Sequence, residues 1–308
     1  MSTSKGKHTL MKFHSERTFG VEMEWARNSL IKRARMASLI KEFPIHSDQK
    51  EKSIVTGYRR NANRDTWYCK TDSSCGYEVA SRVLGGSADQ NIKDLDLLID
   101  IHRTLVSYGA KVRPSCGTHV HLHIEDVPFY KLLQYWVKFE KITFDMLPLI
   151  RKESGYCRNL SRRILANQKL SEAELRSQFS GRLSLNLSRY TLKKTVEVRC
   201  FEGTEDYRNL RNLVIYLLHF MEMVKTRMPE PENLNWLSLE QGLELLGLLD
   251  RSGNTILDPT LSELRHWMLA RTAAYSNFRD AVRNRQLAEK LQEQLYGGPY
   301  GCEEIKDA

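Results

Sequence analysis

Two glutamates separated by a single residue give the first indication of chemistry in this sequence. Glu22 and Glu24 lie in RTFGVEMEW (residues 17–25), where apolar and polar residues alternate and aromatic and branched side chains are frequent. This pattern predicts a β-strand that carries both carboxylates on one face, about 7 Å apart. A single pair of this kind is usually no more than a solvated strand face. Its meaning therefore depends on whether other strands carry similar groups.

Later segments repeat the alternation with further groups that could do chemistry. Glutamate, histidine and arginine share strand faces in GYEVAS (76–81), CGTHVHLHI (116–124) and TVEVRCFE (195–202). The groups that we assign to the polar faces are Glu22, Glu24, Glu78, His119, His121, Glu197, Arg199 and Glu202. Carboxylates that meet on one sheet face repel one another unless cations neutralise them.

The donor types in this set indicate the kind of site they would form. Oxygen-rich sites dominated by glutamate favour hard ions such as Mg²⁺ or Mn²⁺ over zinc. An arginine beside such a site suits phosphate oxygens, because its charge is permanent and its donors form a rigid fork. Metal ions, an arginine and no covalent nucleophile together indicate phosphoryl transfer from a nucleotide at a two-metal site.

A series of strands and helices must position these groups. Strands are predicted at 17–25, 67–71, 76–81, 116–124, 181–190 and 195–202, with a turn at 72–74. Helical spacing and capping signals predict helices at 29–43, 87–109, 129–147, beyond 204, after Ser238, after Thr260, and from Tyr275 to Tyr296. Strands that are polar on one face and apolar on the other fit an antiparallel sheet with one covered side.

These elements predict an α+β protein with a single catalytic core. We expect a flexible leader at 1–15, the core at 16–204, a helical subdomain packed on it at 205–296, and a flexible tail at 297–308.

Composition limits the classes of protein to consider. The chain has 308 residues, and its 47 basic and 38 acidic residues give a formal charge of +9, which favours anionic partners. The six cysteines form no C-x-x-C pair, as expected of a reduced, cytoplasmic protein. No apolar run is long enough for a membrane span, and the polar start MSTSKGKH is not a signal peptide.

Four motifs, taken in order, resemble the amidoligases, which are COOH–NH2 ligases of the glutamine synthetase/glutamate–cysteine ligase fold. They are FGVEME, DSS followed by GYEVAS, CGTHVH, and TVEVRCFEGT, and the resemblance covers about residues 17–204. The chain departs from the family pattern at DSS (72–74), where D-G-S is typical, and at Arg82, where a proline commonly follows the serine. The resemblance implies a curved antiparallel sheet with flanking helices, whose concave polar face is the active site.

The resemblance also implies roles for the acidic positions. Glu22 and Glu24 correspond to the paired first-strand ligands of two divalent metal ions. Glu78 corresponds to a further ligand of the metal near the acceptor carboxylate. His119 and Glu197 correspond to ligands of the metal that bridges the ATP phosphates.

For the remaining positions the resemblance implies contacts to phosphate or substrate. Arg199 corresponds to the arginine that contacts the nucleotide phosphates, and His121 matches the second family histidine, near phosphate. We assign Arg199, Glu202 and His121 as catalytic candidates. Arg182 and Asn186 stand where substrate or phosphate contacts are expected, whereas His123 matches nothing specific and is expected to be partly solvated.

The implied reaction uses ATP with two Mg²⁺ or Mn²⁺ ions. A substrate carboxylate attacks the γ-phosphate to give an acyl phosphate, and an amine then displaces phosphate to leave an amide or isopeptide bond. The sequence names neither substrate, although its basic surface is compatible with an acidic peptide or protein. The oligomeric state also stays open.

Two other functions compete with this reading. A zinc hydrolase could use His119, His121 and His123, because three histidines are a known ligand set for catalytic zinc. That reading leaves the glutamates and Arg199 unexplained, and ATP dependence would separate the two. A nucleic-acid-binding protein could use the basic segments 32–64 and 151–182, but no recognisable module accompanies them, so we do not expect nucleic acid as a partner.

Overall fold

The computed structural model describes residues 9–43, 54–56, 66–160, 182–250 and 255–277, together with positions 174, 280, 284–287 and 289. Ten strands have these bounds: β1 Thr9–Met11, β2 Thr18–Ala26, β3 Ile54–Thr56, β4 Trp67–Asp72, β5 Gly76–Ala80, β6 Leu84–Gly85, β7 Gly117–His123, β8 Leu185–Asn186, β9 Thr195–Glu202 and β10 Thr255–Leu257. The helices are α1 Arg33–Lys41, α2 Ala88–Ser107, α3 Phe129–Asp145, α4 Leu149–Lys152, α5 Tyr190–Lys193, α6 Tyr207–Thr226, α7 Leu239–Leu245 and α8 Pro259–Tyr275.

The main sheet places the predicted strands side by side in the order β3-β4-β5-β2-β7-β9-β8, and β6 also pairs with β2. All of these pairings are antiparallel except that of β3 with β4. The strand that carries the two glutamates, β2, lies between β5 and β7. The expected α+β class with a mostly antiparallel sheet is therefore confirmed.

Alternation along each strand decides which face is covered. Val21, Met23 and Trp25 of β2 belong to the hydrophobic core and are at most 3% exposed, so Glu22 and Glu24 leave the opposite face. The core is completed by buried apolar residues from helices α2, α3, α6 and α8. The sheet thus has one apolar face covered by helices and one polar face.

The N-terminal segment is tied to the C-terminal helices. Thr9–Met11 pairs in parallel with Thr255–Leu257. Asp258 strengthens this junction, because its side chain accepts hydrogen bonds from the Phe13 backbone N–H at 2.8 Å and from the first turn of α8 at Leu261, also at 2.8 Å. Residues 9–11 fall within the leader expected at 1–15 and form a paired strand, while the division of the chain into leader, core, subdomain and tail stays a prediction. Residues 1–8 and the tail at 297–308 lie outside the described residues.

Several predicted boundaries differ from the observed ones. The strand expected at 181–190 is reduced to Leu185–Asn186, because Ser184 turns toward the helices and hydrogen-bonds with Glu140 and with the Trp136 indole N–H. The helix expected at 29–43 spans only Arg33–Lys41. Asp258, rather than Thr260, caps α8, with a proline in the first turn.

None of the helices in the described part of the chain is both long and apolar enough to cross a membrane.

Candidate active site

Strand register brings the predicted residues together on the polar face. Glu22 of β2 lies opposite His119 of β7, and His121 of β7 lies opposite Glu197 of β9. A register shift between Thr118 and Val120 bulges β7 at this point. Groups from three adjacent strands therefore converge on the middle of the sheet.

Glu22, His119 and Glu197 form the central group. The His119 Nδ1 atom lies 3.3 Å from Glu22 Oε2 and 3.4 Å from Glu197 Oε1. One ligand atom from each residue lies within 4.8 Å of the other two. The side chains of His119 and Glu197 are buried, whereas that of Glu22 is 24% exposed, which leaves the group accessible from one side.

His121 forms the rim of this group on the Glu22 side. Its Nε2 atom lies 3.2 Å from Glu22 Oε1. Burial alone would raise the pKa of Glu22, but hydrogen bonds and positive charge from His119 and His121 hold this pKa well below its usual value. Conversely, burial would lower the pKa of each histidine, and the neighbouring carboxylates raise it above the ordinary value. When they are protonated, the two histidines supply positive charge to this carboxylate.

Glu197 also contacts a neutral donor and a cation. Asn186 Nδ2 donates to Glu197 Oε2 at 2.8 Å, and Arg199 Nη1 lies 3.2 Å from Glu197 Oε1. Arg199 follows Glu197 by two residues, so both side chains leave the same strand face. The buried Arg151 of α4 donates to the backbone carbonyls of Arg199, at 2.8 Å, and Cys200, at 3.2 Å, and so supports this part of β9.

A second acidic group lies at the end of β2. Glu24, Asp72 and Cys75 each offer one ligand atom, and these atoms lie within 4.8 Å of one another. The Gly117 backbone N–H donates to Glu24 Oε2 at 2.6 Å, and His119 Nε2 lies 3.7 Å from Glu24 Oε1. Burial raises the pKa of Glu24, and the charge of Asp72 adds to this effect. His119 therefore stands between the two acidic groups.

Glu78 has a different environment from the one expected. It lies opposite Glu24 in the sheet, but Lys70 of the neighbouring strand β4 lies 2.6 Å from its Oε1 atom. Burial and the charge of Glu22 raise the pKa of Glu78 to about 7, although Lys70 acts in the opposite direction. In the described residues Glu78 belongs to neither ligand group, so its assignment as a metal ligand stays a prediction.

Three of the remaining sequence candidates do not join the cluster. Arg182 is exposed, and its guanidinium lies 4.6 Å from the centre of the Tyr156 ring. Glu202 pairs with Arg271 of helix α8. It lies five residues from Glu197, an odd number, so strand alternation directs it to the helix-covered face. His123 is 38% exposed beside Glu125, in agreement with the expectation of partial solvation.

Sequence reasoning missed four residues that the structure places in or beside the site. Asp72 was assigned only to a turn, and Lys70, Cys75 and Arg151 were not singled out. The DSS motif was a usable signal for Asp72, since this residue both ends β4 and precedes the strand that bears Glu78. Nothing local in the sequence indicates that Arg151 would reach β9, because that contact spans about 48 residues.

A pocket of about 250 Å³ adjoins the central group at the end where β2 begins. Glu22 and His121 line this pocket, together with Tyr68, Val83 and the exposed Lys193. The volume is near the lower end of ligand pockets, which begin at about 300 Å³. The polar face therefore presents, along the strand direction, a pocket, the central group and then the second acidic group.

The donor chemistry of the central group fits a divalent cation. Two carboxylates and one imidazole lie close enough to share an ion, and Asn186 and Arg199 orient one of the carboxylates from outside. Carboxylates drawn this close are stable together only when positive charge accompanies them. His119 lies between them and supplies this charge when it is protonated.

Comparison with known proteins identifies the family of this chain. No curated protein matches the chain. The model of one protein family, described as "Putative amidoligase enzyme", matches residues 15–221, that is 207 of 308 positions. The matched segment contains β2, β5, β7 and β9, which carry every residue of the central group. Since it spans more than half of the sequence, this chain is a member of that amidoligase family.

Proposed function

We propose that this protein is an ATP-dependent carboxylate–amine ligase that forms an amide or isopeptide bond through an acyl phosphate. Family membership supports a ligase in general. The observation that carries the finer proposal is the central group, in which His119 lies 3.3 and 3.4 Å from two carboxylates and Arg199 flanks the second at 3.2 Å. Such a group, with an arginine beside it, suits a metal-bound polyphosphate.

The two metal ions of this proposal would be Mg²⁺ or Mn²⁺ at the central group and a second divalent ion at the Glu24 end. Glu22, His119 and Glu197 would hold the first ion. When bound, these ions neutralise charge on the transferred phosphoryl group, which is the main requirement of phosphoryl transfer.

The remaining side chains bind and orient the phosphates. Arg199 is 25% exposed, so its guanidinium can leave Glu197 in part to contact phosphate oxygens from the open side of the group. Burial would lower the pKa of His121, but the neighbouring carboxylates raise it above the ordinary value, which favours the protonated imidazole. A protonated imidazole suits a second phosphate contact. We place the nucleoside in the pocket beside Glu22 and His121, since it is the cavity that adjoins the central group.

The substrates would then approach from the opposite end of the polar face. A carboxylate entering near Glu24 meets the central group without crossing the nucleoside pocket. The amine needs a nearby base, and Glu78, whose pKa burial raises to about 7, is suited to accept its proton. The net charge of +9 is compatible with an acidic peptide or protein as the carboxylate donor.

The competing zinc hydrolase receives little support from the geometry. Within the described residues, the ligand group that contains a histidine has only His119. His121 is turned to Glu22 at 3.2 Å, and His123 to Glu125 at 3.6 Å. The three alternate histidines therefore do not point at one common ion.

The proposal can be tested without knowledge of the natural amine. Purified protein is incubated with ATP, Mg²⁺, a mixture of acidic peptides and hydroxylamine, which converts an acyl phosphate into a stable hydroxamate. We expect hydroxamate and ADP to form in equal amounts with the wild-type protein and to disappear with chelator. A Glu197→Gln variant should form neither, whereas Glu240→Gln, on helix α7, should behave as wild type. Hydroxamate formed without ATP, or ADP formed equally by Glu197→Gln, would contradict the proposal.

A further inference from the structure

We propose that the second acidic group is a thiophilic metal site, in which Glu24, Asp72 and Cys75 bind a cation such as Zn²⁺ or Co²⁺ in preference to Mg²⁺. The role of this ion in ligation rests on the proposed function. Binding of the ion does not, because it can be measured without an assay of ligase activity. The central group has carboxylate and imidazole donors. The second group differs from it by a thiol, and the donor type decides which metal is selected.

The fold brings these three donors together through one turn. Asp72 is the last residue of β4, Cys75 precedes β5, and the turn between them lies beside the end of β2 that carries Glu24. Cys75 Sγ lies 3.4 Å from Asp72 Oδ1, and the three ligand atoms lie within 4.8 Å of one another. Zinc bonds of about 2.0–2.3 Å separate neighbouring tetrahedral ligands by about 3.5 Å. Closure by on the order of 1 Å would therefore form the site.

Each carboxylate is oriented through one oxygen and keeps the other available. Asp72 Oδ1 accepts the backbone N–H groups of Ser74, at 2.7 Å, and of Cys75, at 3.1 Å. Glu24 Oε2 accepts the Gly117 N–H at 2.6 Å. Within the described residues, Asp72 Oδ2 and Glu24 Oε1 accept no hydrogen bond. Outer hydrogen bonds of this kind typically orient metal ligands.

A second thiol lies beside the group and strengthens its soft character. Cys116 packs with Cys75 and Ala26 in a small buried cluster, and the two thiols are hydrogen-bonded to each other. Ala26 belongs to β2 and lies opposite Gly76, so its small side chain lets thiols from both neighbouring strands meet above it. A thiol beside two carboxylates forms a donor set that favours zinc over magnesium. Cys116 places a second thiol next to Cys75, outside this group of three. The bound thiol would release its proton to solvent on metal binding.

Cobalt provides the test, because a cobalt–thiolate bond produces a charge-transfer band in the near ultraviolet. Metal-free protein, kept reduced with a phosphine, is titrated with Co²⁺ in the presence of excess Mg²⁺. We expect the band to saturate at one equivalent of Co²⁺ and to be displaced by Zn²⁺. Cys75→Ser should abolish the band. Cys157→Ser is the matched control and should keep it, since Cys157 is equally buried but donates to the Arg151 carbonyl.

Two further variants keep the outcome decisive. If circular dichroism shows that Cys75→Ser does not fold, Asp72→Asn is used in its place. The amide of this variant keeps the oxygen that accepts the turn N–H groups, so the turn should be preserved. Loss of the carboxylate charge should weaken Co²⁺ binding at least tenfold. A wild-type protein without the band, or a band unchanged in the folded variant, overturns the proposal. Glu22→Gln separates the two hypotheses: it should abolish hydroxamate formation and leave the cobalt band intact. A band that persists in a wild-type protein without ligase activity would refute the proposed function alone.

Discussion

Asn186 holds Glu197 by the carboxylate oxygen that does not face His119. Its Nδ2 atom donates to Oε2 at 2.8 Å, while Oε1 lies 3.4 Å from His119 Nδ1 and 3.2 Å from Arg199. Both residues are buried, at 5% and 6% exposure. One neutral amide thus directs the other oxygen of the carboxylate into the central group, and this relationship leads to the first prediction.

Asn186→Asp should destabilise the metal-free protein by about 1–3 kcal/mol at neutral pH, because it replaces a buried donor by a second negative charge. Saturating Mn²⁺ should restore more stability to the variant than it adds to the wild type, since the cation neutralises the new repulsion. Denaturant unfolding with and without Mn²⁺ measures both effects. Asn235→Asp, at an exposed position, is the control and should change stability little. Equal stabilities of Asn186→Asp and wild type would mean that the amide contact does not orient Glu197.

Arg199→Lys should lower nucleotide turnover by roughly a hundredfold or more, because an ammonium cannot reproduce the two parallel bonds of a guanidinium. Stability should change by less than about 1 kcal/mol, since the side chain is partly exposed and its charge is kept. ADP release and thermal melting are measured on the same preparation. Arg208→Lys, which is 69% exposed on α6, is the control and should be fully active. A folded and fully active Arg199→Lys protein would show that Arg199 only forms an ion pair with Glu197 and is not needed to bind phosphate.

Gly117→Ala should weaken metal binding at the central group by about tenfold, the scale found for residues that support metal ligands. The added Cβ would lie 3.0 Å from His119 Nε2, 3.2 Å from Arg151 Nη2 and 3.4 Å from Glu24 Oε2, so His119 would have to shift. Mn²⁺ affinity measured by calorimetry reports the effect. In Gly155→Ala the Cβ has no atom within 4 Å, and this control should bind Mn²⁺ as the wild type does. Unaltered affinity in Gly117→Ala would show that the close approach of this glycine is not needed.

His219 should make the metal-free protein lose stability as the pH falls. Burial lowers its pKa to about 4 from 6.5, although the Leu246 carbonyl, 2.8 Å from Nε2, acts in the opposite direction. Nδ1 has no partner in the described residues, so a proton added there would stay unpaired. Between pH 6.5 and about 4, the unfolded chain binds a proton that the folded protein does not. Stability therefore declines with falling pH, by on the order of 3 kcal/mol across this window.

The corresponding measurement compares unfolding free energies at pH 7 and near pH 4.5 for the wild type and His219→Gln, whose amide can still donate to Leu246. The variant should show a smaller decline, because it lacks the titrating group. His14→Gln, at a residue whose side chain is 64% exposed, is the control and should keep the wild-type pH dependence. Parallel pH profiles for the wild type and His219→Gln would exclude this histidine as the cause.

Local periodicity was sufficient to predict which residues share the polar face. A strand alternates its side chains regardless of context, so the pairs Glu22/Glu24, His119/His121 and Glu197/Arg199 could be placed from spacing alone. The same rule, applied strictly, would have removed Glu202, which lies an odd number of residues from Glu197. The sequence therefore determined the strands β2, β5, β7 and β9, most of the helices that cover them and most of the charged residues that meet.

Only the tertiary structure decided which groups face one another across strands. The neighbours of β2 bring Glu22 to His119 and leave Glu78 paired with Lys70, because strand order and register depend on contacts between distant segments. For the same reason the turn that carries Asp72 and Cys75 lies against the end of β2, where neither residue had been expected as a ligand. The pairing of Thr9–Met11 with Thr255–Leu257 is equally beyond local pattern. Spacing along a chain specifies a face, whereas the partner on the next strand depends on how the whole sheet assembles.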